Sequence, residues 1–319
     1  MARKRPRSLY LPGSSLLMRR GHCAPTVMET LLRAGRGKNP GLVKFVAGMP
    51  GGVGDTGYEC GAIMSPLVLF GLETGPDEIR DGLPLVLVRS QTHIRRFIER
   101  HSSPFCREIR GEKGQARLWP CIKAILDSPG IHGYAAADAA SNPAPELERE
   151  AHRLLVSGLK DRGFHCAQAV FDRLREIASS HPELRRGLAA FVGGTACRGW
   201  TCGALTAGLM LVGRQTAEIE NNALRVLRMI ILMKTGGDAF ADRINAFNIT
   251  MNLGNRMAQW FTAEFGSTQC RAITGADFST PAGVRCFLDE RAVACEGIAG
   301  KVAAKVETIL RQTVVARAI

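Results

Sequence analysis

Cysteine is the residue whose chemistry stands out in this chain, because three of its sequence contexts occur twice. Gly-His-Cys-Ala-Pro-Thr-Val around Cys23 is matched by Phe-His-Cys-Ala-Gln-Ala-Val around Cys166. Cys60 opens Cys-Gly-Ala-Ile-Met-Ser-Pro and Cys202 opens Cys-Gly-Ala-Leu-Thr-Ala-Gly; Cys106 opens Cys-Arg-Glu-Ile-Arg-Gly and Cys270 opens Cys-Arg-Ala-Ile-Thr-Gly. The step from first to second cysteine is 37 residues in one copy and 36 in the other. Self-similarity at this range means two copies of one structural unit. A buried thiol packs as a small hydrophobe, so thiols that survive while their surroundings diverge point to chemistry rather than packing.

A fourth thiol completes each set. In copy one it is Cys121. In copy two Cys286 fits the spacing and Cys295 fits the context, standing before a closing helix; Cys295 is favoured. The candidate ligands are therefore Cys23, Cys60, Cys106 and Cys121, and Cys166, Cys202, Cys270 and Cys295. Glycine-containing loops precede Cys60 and Cys202, and Gly-Ala and an apolar helix follow them. A cysteine at a helix N-terminus has its thiolate favoured by the dipole and by free backbone N–H groups. Helix termini converging from separate elements can form one four-thiolate pocket per copy. Structural zinc sites usually draw ligands as close Cys-x2-Cys pairs, and the closest pairs here are Cys197/Cys202 and Cys286/Cys295. The same spacing excludes covalent c-type haem attachment and a thioredoxin-like motif. An iron–sulfur cluster accepts ligands spread along a chain. Spacing alone leaves zinc, a cluster and reactive free thiols open.

Other residues carry weaker signals. His22 and His165 precede the first cysteine of each copy, as a ligand or sulfur donor on one reading and as helix caps on the other. Arg107 and Arg271 follow the third cysteine, where they can offset negative charge or lie at the surface. Cys197 has no counterpart and reads as a buried small hydrophobe. Gly51-Gly52-Val53-Gly54 lacks the Gly-Lys-Ser/Thr ending and preceding strand of a phosphate loop.

The elements that must position these cysteines read as helices. Periodicity predicts helices after Cys23 and Cys166, a buried helix over Leu205–Val212, long amphipathic helices over Ile219–Lys234 and Phe240–Phe265, and a final helix from Gly300. Leu83–Val88 is the only strand candidate, and its flanks read helical. The expected fold is all-α, a tandem duplication of a small helical domain with cysteines at helix termini. Its expected divisions are a basic N-terminal arm (1–20), a first domain (21–127), a linker rich in Ala, Gly, Pro and Ser (128–145) and a second domain (146–319). Cys60 to Cys106 spans 46 positions against 68 from Cys202 to Cys270, so copy one is shortened between its second and third thiols.

The chain's 319 residues, 45% of them hydrophobic, suit two ordinary globular units. Ten cysteines are too few for a secreted disulfide scaffold, and no signal peptide or membrane span is visible. A cytoplasmic location is expected, where thiols stay reduced. The net charge is +13. Six basic residues crowd the first twenty positions, and a solvated, mobile tail is the preferred reading of them. Three tyrosines and three tryptophans offer little for base stacking, so nucleic acid is not the expected partner.

At the cysteines and their neighbours the chain resembles the C_GCAxxG_C_C family of redox-active proteins. In copy two the matching parts are His-Cys-Ala-Gln-Ala-Val at 165–170, Thr201-Cys202-Gly203-Ala204, Phe265-Gly266-Ser267 with Cys270-Arg271, and Cys295. Copy one matches at Cys23, Cys60-Gly61-Ala62, Cys106-Arg107 and Cys121. It departs further, with Pro25 and Pro66, and the family's later glycine stands here as Ala207 and Ser65. The resemblance implies a helical unit whose four cysteines hold an iron–sulfur centre, 2Fe–2S on this reading, with one or two per chain: in copy two, or in both copies. It implies electron transfer with a partner, and the basic surface suits an acidic redox protein. No membrane partner is expected, and a homo-oligomer stays open. The rivals are a metal-free dithiol oxidoreductase or sensor, and a structural zinc protein.

Overall fold

A helix that is apolar on every side has to be surrounded by other elements, and two segments fit that description. The computed structural model describes residues 10–35, 38–74, 82–111, 117–138, 146–174, 181–218, 224, 226, 227, 230, 231 and 249–318. In it the two segments are α4 (Gly61–Thr74) and α11 (Gly203–Thr216), each buried along most of its length and each the axis of one copy. The first copy also contains α1 (Tyr10–Arg20), α2 (Cys23–Gly35), α3 (Pro40–Phe45), α5 (Leu83–His101), α6 (Cys106–Arg110) and α7 (Leu118–Asp138). The second also contains α8 (Glu146–Arg162), α9 (Cys166–Arg173), α10 (Glu183–Gly187), α12 (Ile249–Phe265) and α13 (Cys270–Thr274). The chain continues through α14 (Pro281–Cys286) and a π-helical turn (Phe287–Arg291) into α15 (Ala292–Ala318). No strand occurs among the described residues beyond two isolated bridges, Glu59 with Phe105 and Thr201 with Gln269. The fold is all-α, and the bridges occupy equivalent places in the two copies.

The copies trade their short helices. α3 of the first copy packs on α11, and α10 of the second packs on α4. Gly71 in α4 and Gly213 in α11 make the trade possible. A Cβ on Gly71 would stand 2.3 Å from the Arg186 carbonyl oxygen, and one on Gly213 would stand 2.8 Å from that of Lys44. Gly71/Gly213 and Lys44/Arg186 are both separated by 142 positions, so the exchange is reciprocal about a pseudo-two-fold axis. One continuous core runs through both copies.

Several expectations need correction. Residues 10–20 are not a mobile arm. They form α1, the counterpart of α8, and each of these helices ends at a left-handed glycine, Gly21 or Gly163. Leu16 and Arg20 are buried, and Arg20 pairs with Glu29, which Arg33 also contacts at 2.7 Å. Burial pushes the Glu29 carboxyl up, and its hydrogen bonds from the two arginines bring it below its ordinary value. The composition of 128–145 suggested a connector, but Ser128 to Asp138 continue α7. Ile131 and Ala135 are buried there, and the Ser128 hydroxyl donates to the Ala62 carbonyl at 2.6 Å. Leu83–Val88 opens α5, with proline in its first turn. The helix expected over Phe240–Phe265 is described from Ile249. The one over Ile219–Lys234 falls largely outside the described residues.

Candidate functional site

Helix starts deliver the thiols. Cys23, Cys106, Cys166 and Cys270 are each the first residue of a helix, and Cys60 and Cys202 stand immediately before α4 and α11. Cys121 and Cys295 are both fourth in theirs, α7 and α15. The first turn of a helix has backbone N–H groups without intrahelical partners. Here they turn to sulfur: Ala24 N–H to Cys23, Ala62 N–H to Cys60, Ala167 N–H to Cys166, and Ala204 and Leu205 N–H to Cys202.

The thiols form two sets that sense one another. Cys60 is influenced by Cys23, Cys106 and Cys121, and Cys270 by Cys202, Cys166 and Cys295. All eight are pushed up from the ordinary thiol value, burial being the largest cause in each; Cys106 and Cys295 reach about 12. Cys166, Cys202, Cys270 and Cys295 line one small cavity, closed otherwise by apolar side chains such as Leu159, Phe164, Phe278, Phe287 and Ile298. Cys286 is exposed and takes no part, whereas Cys295 is buried and lines the cavity with the other three. Sequence spacing points to Cys286 and context to Cys295, which is favoured; the register of α15 brings Cys295 to the set.

The glycine of each Cys-Gly-Ala motif is a matter of space. A Cβ on Gly61 would lie 2.6 Å from the Cys23 sulfur, and one on Gly203 2.9 Å from the Cys166 sulfur and 1.9 Å from the Phe191 carbonyl oxygen. Only a residue without a side chain lets the central helix begin against the first cysteine.

The glycine loops are left-handed turns, not anion cradles. Residues 51–55 all have positive φ, as do residues 193–197. In the second loop three successive non-glycine residues, Thr195, Ala196 and Cys197, hold φ of 39°, 56° and 62°. Such a conformation costs about 1–2 kcal/mol per residue with a Cβ. The loops present carbonyls to the third cysteines: Cys106 N–H donates to Tyr58 O and Cys270 N–H to Trp200 O, both at 2.6 Å. Phe105, before the third cysteine of copy one, and Trp200, after the loop of copy two, meet edge to face with ring centroids 5.3 Å apart.

The secondary candidates resolve differently. His165 caps α9: its Nδ1 accepts from Gln168 N–H at 3.3 Å, and its Nε2–H donates to Ala189 O at 3.2 Å. Both ring nitrogens are thereby engaged with backbone, which leaves neither for a metal. Burial lowers both His165 and His22 to about 4. Arg271 pairs with Asp277 at 2.8 Å, while the Arg107 guanidinium lies over the Tyr58 ring at 4.7 Å. Cys197 is buried, as expected. Sequence reading missed Glu59. It carries a carboxylate at 0% exposure directly before Cys60, and it accepts hydrogen bonds from the other copy. A charged residue at the end of a glycine loop, beside a motif cysteine, was the available signal.

Thiolate sets of this kind suit soft metals and iron–sulfur groups. Among the described residues no three Cys, His, Asp or Glu side chains are arranged to hold one metal ion. The second thiol set surrounds a shared, mostly apolar space, and the Ala204 and Leu205 N–H groups bond to the Cys202 sulfur. A buried neutral thiol is a poor nucleophile, which weighs against metal-free dithiol chemistry; a bound cation reverses the balance by deprotonating its ligands.

Comparison with known families finds a profile described as "Putative redox-active protein (C_GCAxxG_C_C)". It matches residues 21–131 and again 164–309. No curated protein and no solved structure matches the chain.

Proposed function

The chain belongs to the C_GCAxxG_C_C family, and from that premise we propose that it is an electron-transfer protein. Cys166, Cys202, Cys270 and Cys295 would hold one iron–sulfur cluster, of the 2Fe–2S kind, and Cys23, Cys60, Cys106 and Cys121 a second. Such a cluster supplies a one-electron donor and acceptor. The observation that carries the reading is that four thiols from separate helices line one small, mostly apolar cavity in copy two, and that the four matching thiols of copy one also influence one another.

The chain's own residues have definite tasks in this reading. The cysteines bind as thiolates. N–H groups of Ala204 and Leu205 stabilise charge on the Cys202 sulfur and so raise the potential at which the site accepts an electron. Phe164, Phe278 and Phe287 exclude water. The excess of basic residues steers an acidic redox protein toward the surface, in a compartment that keeps thiols reduced, the cytoplasm.

Iron and acid-labile sulfide analysis of anaerobically purified protein tests this. Equal iron and sulfide with a visible chromophore is the expected result, about two irons per chain for one loaded copy and about four for both. Cys202→Ser should bleach the copy-two contribution. An unchanged spectrum in that variant, or zinc alone in the parent, overturns the assignment.

A further inference from the structure

We propose that Glu59, a residue of the first copy, is the positioning residue that sets the thiol geometry of the second. Its carboxylate is fully buried and takes three hydrogen bonds, all from copy two. Oε1 accepts from the Thr195 hydroxyl at 2.7 Å and from Thr201 N–H at 2.9 Å; Oε2 accepts from the Thr201 hydroxyl at 2.6 Å. Thr195 stands in the middle of the left-handed turn, and Thr201 directly precedes Cys202. The carboxylate therefore grips the strained loop at both ends of the segment 195–201.

That segment builds the second site. Trp200 O takes the Cys270 N–H, and Cys202 N–H donates to Thr268 O at 2.8 Å. A Cβ on Gly194 would meet the Cys270 Cβ at 2.6 Å, so the turn backs directly on the third cysteine. The two loops are unequal in the number of side-chain-bearing residues they hold at positive φ. Copy one places glycine at 51, 52 and 54 of its left-handed run, leaving two residues with a Cβ. Copy two has glycine only at 193 and 194, leaving three. The position of Gly54 is occupied by Ala196. A β-branched threonine and an alanine persist at positive φ only where their surroundings over-determine them, and Glu59 supplies that constraint from across the pseudo-two-fold axis.

The assignment rests on reading Cys166, Cys202, Cys270 and Cys295 as one site, and it concerns them as thiols, whatever they bind. Its test is accordingly cysteine alkylation of the full-length, metal-free chain, read residue by residue by mass spectrometry. In Glu59→Ala, labelling of Cys202 and Cys270 should accelerate at least tenfold while Cys23, Cys106 and Cys121 keep the parent rate. Adding Ala196→Gly, which removes left-handed strain without restoring the carboxylate, should return Cys202 and Cys270 most of the way to parent protection. Glu59→Gln, which keeps an acceptor for Thr201 N–H, should fall between. If Glu59→Ala does not fold, Thr195→Val deletes one donor and is read in the same way. Uniform acceleration across both copies, no acceleration, or no rescue by Ala196→Gly overturns the proposal. Because no metal is present, these outcomes are independent of whether the quartets hold iron.

Discussion

At the scale of single residues, the motif glycine of Cys-Gly-Ala is the sharpest case of sequence meaning something physical. At Gly203 a methyl group has nowhere to go, being 1.9 Å from the Phe191 carbonyl oxygen. Gly203→Ala should cost roughly 2 kcal/mol by overpacking and should lower metal binding in copy two, as read by denaturant midpoint and metal content. Gly130→Ala in α7 is the control. Nothing lies within 4 Å of a Cβ there, so the change should stabilise by about 0.8 kcal/mol through helix propensity alone. Both residues are glycines in helices; only the surroundings tell them apart. The cysteine pattern named seven of the eight converging thiols without a rival, six by repetition and Cys121 as the remaining cysteine of copy one. The choice between Cys286 and Cys295 needed the π-turn and the register of the helix after it.

At the scale of elements, the left-handed turns are the unusual parts. Their glycines were visible, and a loop was the natural expectation, but five successive positive φ values were not foreseeable where Thr195, Ala196 and Cys197 take part. Tertiary hydrogen bonds impose that conformation against local preference. Ala196→Gly in the parent chain should therefore stabilise by about 1 kcal/mol, raising the melting temperature by about 2 °C. A fall in melting temperature would mean that the Ala196 methyl is worth more to the core than its backbone costs. The two elements misjudged from composition, residues 10–20 and 128–138, fail for one reason. Each mixes its apolar residues with Gly, Pro and Ser, which read as loop, and each is held as helix because Leu16, Ile131 and Ala135 find partners on other helices.

At the scale of the whole molecule, the copies are tied together at several points besides Glu59. Gln91 of α5 donates through its Nε2 to Ala196 O and to His152 Nε2 of α8, both at 3.0 Å. Burial, helped by the Arg198 charge, holds His152 at about 4 against an ordinary 6.5. Because the folded value is the lower one, the fold binds fewer protons than the unfolded chain. Stability is then fully present above about pH 6.5 and is lost as pH falls toward 4, by up to about 3 kcal/mol from this residue. Denaturant midpoints at pH 7.5 and 4.5 should show that loss, and His152→Asn should diminish it. A pH-independent gap between parent and variant would show that His152 does not titrate in this way.

The sequence by itself determined the all-α class, the duplication and the cysteines of each copy. Helical periodicity and repeated motifs are local properties that survive in a linear text. Even the reciprocal exchange of α3 and α10 left a trace, as glycines at 71 and 213. Only the tertiary structure decided that Cys295 rather than Cys286 joins the second set, that His165 engages both ring nitrogens with backbone, and that a carboxylate of one copy bonds to the loop of the other. Those outcomes depend on which residues meet across large separations in the chain, and hydrogen-bond geometry and close approach exist only once the helices have packed.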